Sequence, residues 1–130
     1  MRALCIDDHP VNRQVLVVLL ATAGIEADEA GSATEGLQLL DAVDYDLVFM
    51  DLRMPEMDGR EAAALIRARS DRKRDVPIIL VTADVEFSIG APRIDNDFDG
   101  AVFKPIKPDA LFGSIASALV SHDADTISLT

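Results

Sequence analysis

Short apolar runs recur along this chain, and a helical pattern follows each of them. Ala3 to Ile6, Leu47 to Met50 and Ile78 to Val81 are apolar at every position. Hydrophobicity on both faces belongs to the central strands of a parallel sheet, which helices cover from either side. Ile25 to Glu29 instead mixes apolar with acidic positions, and Ala101 to Phe103 is short, so these two segments are predicted to be edge strands. Helix starts give the same division. Pro10 and Pro108 suit a first helical position, while Ser32 to Glu35 and Asp58 to Glu61 have the spacing of a capping box. Helices are predicted over residues 10–23, 33–43, 58–69 and 108–121.

The stretch between Thr82 and Gly100 is a weaker helix. Gly90 and Pro92 interrupt it, and Pro92 also drives Ala91 out of the α region. Alternation of strands and helices makes the expected fold α/β: a doubly wound, five-stranded parallel sheet of flavodoxin-like order 2-1-3-4-5, with an atypical fourth helix.

Composition bounds the rest. With 130 residues and no internal repeat, the chain reads as one domain over residues 1–121, followed by a polar tail over 122–130 that loses helical periodicity. Twelve basic against 23 acidic residues give a formal charge of -11, which disfavours direct contact with nucleic acid or an anionic membrane. Cys5 is the one cysteine and lies in an apolar run, so it reads as a core residue in a reducing compartment. The longest apolar run, Val15 to Ala21, is too short to span a bilayer, and no signal pattern follows Met1, so a cytoplasmic location is expected.

Ligands of such sheets bind beyond the carboxyl ends of the strands. The residues expected there are Asp7 and Asp8 after the first strand, Asp51 after the third, Thr82 after the fourth and Lys104 after the fifth. Singly, each has a bland explanation: an Asp is often a turn or cap residue, Thr82 caps a helix, and Lys104 is a solvated charge. Together they fit a different chemistry. Three clustered carboxylates repel unless a cation joins them, and a partly hydrated all-oxygen site suits Mg²⁺. A metal, a hydroxyl and an ammonium around a carboxylate can neutralise a transferring phosphoryl group, with Asp51 as the nucleophile.

The segments IDDHPVNRQ at 6–14, MDLRMPEMDG at 50–59, VTAD at 81–84 and FKPI at 103–106 resemble the receiver domain of two-component response regulators. The similarity extends over about residues 1–121, and the gap of 22 residues from Thr82 to Lys104 (104 − 82) also fits that family. The resemblance implies a phosphoacceptor domain, not a conventional enzyme. It takes a phosphoryl group onto Asp51 from a phosphohistidine partner, a histidine kinase or a histidine phosphotransferase. It further implies Mg²⁺ held by Asp7, Asp8, Asp51 and the carbonyl of Arg53, with Thr82 and Lys104 on the phosphoryl group, and a peptide bond before Pro105 that is commonly cis. The form DDHPVNR is most similar to receivers of hybrid sensor kinases and phosphorelays.

Some positions depart from that pattern. The family's aromatic three residues before the Lys is replaced by Ala101. Phe103 is expected to be core and not to take over that role. Without the ring, a change in the ordering of residues 84–100 is the expected readout. The first helix is apolar all round from Val15 to Leu20, which fits either a wide core face or a docking face. His9 reads as a loop residue, and His122 has less functional support still. Two other functions stay open: a haloacid-dehalogenase-like phosphatase, against which adjacent Asp7 and Asp8 count because that class uses a D-x-D pair, and a receiver-like interaction module that is never phosphorylated.

Overall fold

The computed structural model of the chain describes residues 1–83 and 97–128. In chain order the elements are β1 (Arg2–Ile6), α1 (Pro10–Thr22), β2 (Glu26–Ala30), α2 (Ala33–Ala42), β3 (Leu47–Asp51), α3 (Gly59–Arg67), a 3₁₀ turn (Arg72–Asp75), β4 (Ile78–Thr82), β5 (Gly100–Phe103) and a last helix, here α4 (Pro108–Ser128). All strands are parallel, in the order β2-β1-β3-β4-β5. The expected weak helix after Thr82, and the ordering readout assigned to it, fall largely on residues 84–96 and lie outside the described residues.

Strand alternation sorts the apolar runs onto two faces. Leu4, Ile6, Val48, Met50, Ile78 and Leu80 pack against Leu40 of α2 and Ala62, Ala63 and Ile66 of α3. Their neighbours Ala3, Cys5, Leu47, Phe49, Ile79 and Val81 pack against Leu16 and Leu20 of α1 and Leu111, Ile115 and Ala118 of α4. The three central strands are therefore buried from both sides, which is why they read as unbroken apolar runs. β2 is an edge with an exposed or half-buried Glu26, Ala27, Asp28 and Glu29.

Local chemistry fixes the helix ends. Ser32 Oγ accepts the Glu35 amide at 3.1 Å, and Asp58 Oδ1 accepts the Glu61 amide at 2.9 Å. Glu35 reaches back to the amide of Gly31, one residue before the cap. α1 ends where Gly24 takes φ 77° and the Ile25 amide returns to the Leu20 carbonyl, which swings the chain into β2.

Two expectations are corrected. Phe103 is not core: it is 41% exposed. It ends an edge strand that has one neighbour, paired with Thr82, and strand alternation aims it to the same side as Ala101. The last helix does not stop at residue 121 but continues to Ser128. Residues 122–128 contain no Gly or Pro to break it, so loss of apolar periodicity alone did not end the helical backbone.

Candidate functional site

β3 is buried at all five positions, and its last residue is Asp51. The strand thus delivers a carboxylate, itself almost completely buried, to the carboxyl rim of the sheet. On one side β1 leads to Asp7, whose amide continues the strand pairing by donating to the Ala30 carbonyl at 3.1 Å. Asp7 Oδ1 accepts the His9 amide at 2.8 Å, and that local turn holds the carboxylate still. Its other oxygen, Oδ2, lies 3.0 Å from Lys104 Nζ. The same ammonium lies 3.3 Å from Asp51 Oδ1. Lys104 is in turn held by its own amide, which donates to the Thr82 carbonyl at 2.9 Å, and the bond to Pro105 is cis.

Thr82 stands buried at the end of β4, on the same rim. One donor atom from each of Asp7, Asp8, His9 and Asp51 falls within 4.8 Å of all the others. Arg53 lies two residues past Asp51 with an exposed side chain. The loop that carries it closes where the Gly59 amide donates to the Leu52 carbonyl at 2.8 Å. A Cβ at Gly59 would run into the carbonyl oxygen of Asp51 and stand 3.1 Å from Leu52 Cα, so glycine is required for this close approach.

Burial, then the charge of Asp7, pushes the Asp51 carboxyl up to about 6, against the opposing pull of Lys104. One ammonium does not balance the carboxylates around it. A divalent cation bound to the same oxygens would supply the missing charge, and an oxygen-rich rim open to water on the Asp8 side suits Mg²⁺.

Two residues join the site that the sequence reading passed over. His9 does precede the helix, as expected of a loop residue, yet its ring also faces the acids, with Nδ1 3.0 Å from Asp8 Oδ1. Arg13 donates from Nη1 to the Asp7 carbonyl at 2.6 Å and from Nε to Glu29 Oε1 at 3.1 Å, tying the acidic turn to β2. The available signal was positional. Side chains in the first turn of a helix point back over its N-terminus, and Arg13 sits there.

Residues 3–116 match the model of the response regulator receiver domain. The sensor histidine kinase RcsC of Salmonella typhi is 30% identical over 116 residues, 89% of this chain and 12% of the kinase. The hybrid signal transduction histidine kinase F of Dictyostelium discoideum is 40% identical over 109 residues, 82% of this chain and 10% of the kinase. The chain thus spans a small part of the curated relatives it matches. Among solved structures, the response regulator protein TrrA from Thermotoga maritima, in complex with Mg(2+)-BeF, has 33% identity and a TM-score of 0.77, with 90% of this chain and 97% of that one covered. Among the described residues no helix is long and apolar enough to cross a membrane.

Proposed function

The chain belongs to the response regulator receiver family, and on that premise we propose that it is a phosphoacceptor whose Asp51 takes a phosphoryl group from a phosphohistidine partner. The observation that carries this reading is the Lys104 ammonium shared between Asp7 and Asp51 at the end of a fully buried strand. A carboxylate held there is rigid, partly desolvated and paired with a cation that can follow the charge onto a phosphoryl oxygen.

Asp51 attacks phosphorus with one carboxylate oxygen. The bond between phosphorus and the histidine nitrogen breaks, the electron pair returns to the imidazole, and an acyl phosphate remains. Asp7, Asp8, Asp51 and the Arg53 carbonyl are the residues assigned to Mg²⁺, which when bound supplies positive charge to the phosphoryl oxygens. Thr82 is assigned to a phosphoryl oxygen, and Lys104 moves from the Asp7–Asp51 pair to another. The chain catalyses its own labelling in this scheme and does not turn over a substrate. The receiver unit is assigned to residues 1–121, working in the cytoplasm.

The partner is a histidine kinase or histidine phosphotransferase, and α1 offers the face for it. Val11, Val15 and Val18 are 69%, 43% and 63% exposed. Their spacing of i, i+4 and i+7 lines one side of the helix whose N-terminus carries the acidic turn. An apolar helix face of this kind suits a helical bundle that brings its phosphohistidine over Asp51.

Labelling with acetyl phosphate and Mg²⁺ tests the chemistry by intact mass. One phosphoryl group is expected on the native chain and none on Asp51→Asn. Asp8→Ala is expected to weaken both Mg²⁺ binding and labelling. Equal labelling of the native chain and Asp51→Asn would sink the assignment, and sustained turnover of p-nitrophenyl phosphate would favour a phosphatase instead.

A further inference from the structure

Three successive peptide units carry the acidic turn, and each is pinned by a different group. The unit before Asp7 is held by strand pairing, where the Asp7 amide donates to the Ala30 carbonyl at 3.1 Å. The unit after Asp8 is held by the Asp7 side chain, whose Oδ1 accepts the His9 amide at 2.8 Å. Between them lies the unit that joins Asp7 to Asp8, and its carbonyl accepts Arg13 Nη1 at 2.6 Å. A peptide is planar, so holding the Asp7 carbonyl also fixes the Asp8 amide and the direction in which the Asp8 side chain leaves the backbone. That direction has little other support. Among the described residues the Asp8 carboxylate is paired with the ring of His9, which is itself 67% exposed.

The geometry of Arg13 suits this task. Its own amide donates to the His9 carbonyl at 3.2 Å in the first turn of α1, and Nε donates to Glu29 Oε1 of β2 at 3.1 Å. A guanidinium is a rigid plane, so anchoring Nε on the strand aims Nη1 at the Asp7 carbonyl, which a single ammonium cannot reproduce. We infer that Arg13 is the positioning residue of the metal half of the site: through the plane of the Asp7–Asp8 peptide it holds the Asp8 carboxylate where one ion reaches both Asp8 and Asp51. The inference rests on the assignment of these acids to Mg²⁺. Donor atoms of Asp8 and Asp51 fall within 4.8 Å of each other, so a turn of that plane parts two ligands that are close enough to share an ion. Arg13 itself touches neither the ion nor the phosphoryl group in this scheme. Two other roles make different forecasts. As a plain cation beside three acids, Arg13 would repel Mg²⁺, and its removal would tighten binding. As a staple between α1 and the edge strand β2, its removal would lower stability and leave Mg²⁺ affinity alone.

Arg13→Lys keeps the charge and loses the fork, whereas Arg13→Gln loses both. Arg2→Gln is the control, because Arg2 bridges β1 to Asp28 of β2 at 3.1 Å from the amino end of the same strand pair. Urea unfolding checks that each variant folds. Mg²⁺ is titrated by calorimetry, labelling by acetyl phosphate is timed across Mg²⁺ concentrations, and amide residual dipolar couplings are measured in chelator. Both Arg13 variants are expected to lose about tenfold in Mg²⁺ affinity. The half-saturating Mg²⁺ for labelling rises to match, while the rate at saturating Mg²⁺ returns towards the native value, since Asp51, Thr82 and Lys104 are untouched. The Asp8 coupling moves in both variants before any metal is added. Arg2→Gln loses stability only. Native Mg²⁺ affinity in Arg13→Lys, tighter binding in Arg13→Gln, or an Asp8 coupling unmoved in both overturns the inference. A native chain that neither binds Mg²⁺ nor is labelled overturns the functional reading instead, and the couplings in chelator then decide this inference alone. An Asp8 coupling moved in both Arg13 variants and unmoved in Arg2→Gln upholds it, and any other pattern overturns it.

Discussion

Replacing Asp51 by Asn should make the metal-free protein more stable, and the gain should depend on pH. The folded-state pKa of Asp51 is about 6, above its ordinary value of 3.8. Between those two values the folded chain keeps a proton that the unfolded chain has released. The stabilisation from that proton is complete below the unfolded value and is lost as pH rises through about 6. The interval from 3.8 to about 6 corresponds to about 3 kcal/mol, at roughly 1.36 kcal/mol per pH unit. An uncharged Asn avoids that cost, which is already net of the contact with Lys104 at 3.3 Å, and leaves the ammonium to Asp7, while water at the rim screens part of the effect. A net gain of about 1 to 2 kcal/mol is expected on the alkaline side, shrinking towards zero in acid. Urea unfolding in chelator, repeated across that pH range, measures it as a midpoint shift of about 1 M or less. A difference between the two proteins that stays constant with pH, or a native chain that is the more stable one at neutral pH without metal, would refute the electrostatic account.

The remaining predictions probe the supports of the site. Lys104→Met removes the group that holds Asp51 down, so the Asp51 carboxyl should titrate higher still by carbon-detected NMR, and the metal-free fold should lose about 2 kcal/mol at neutral pH. Gly59→Ala forces a methyl against the Asp51 carbonyl and Leu52, with an expected loss of about 2 to 3 kcal/mol in denaturant unfolding. Arg67 donates to the carbonyls of Arg74, Val76 and Asp97 and to Asp99 Oδ2, which also accepts the Ile78 amide. Arg67→Met should therefore cost about 2 to 4 kcal/mol and raise hydrogen exchange at the first residues of β4 and β5, with little change in Mg²⁺ affinity.

What the sequence disclosed follows from how strongly each feature is coupled to a repeating physical pattern. The central strands announce themselves because burial on two faces demands apolar residues at every position, and Leu47 to Met50 satisfies that demand without exception. Sheet order then places their carboxyl ends side by side, so Asp7, Asp51, Thr82 and Lys104 could be assigned to one rim before any distance was known. Arg67 carries no such pattern. It holds together the 3₁₀ turn, β4 and the approach to β5 mainly through carbonyl oxygens, which every residue type offers alike, and its side-chain partner Asp99 lies 32 residues away, so no local spacing reveals it.

Phe103 fails for a related reason. Hydrophobicity predicts burial only where the fold supplies a cover, and the end of an edge strand supplies less of it than the strand's middle. Val102, one residue earlier and facing α4, is buried, while Phe103 projects from the opposite side beside Lys104. The exposure itself carries information that composition does not. An aromatic left at the rim, on the side where Ala101 has no ring, immediately precedes in sequence the lysine whose ammonium pairs with Asp51. Lys104 is anchored at its own amide, which donates to the Thr82 carbonyl at 2.9 Å, so its flexible four-carbon stem is what lets the ammonium move. The polar core of the site and its apolar margin adjoin through one peptide unit, which the pairing of β4 with β5 holds in register at Thr82 and Phe103.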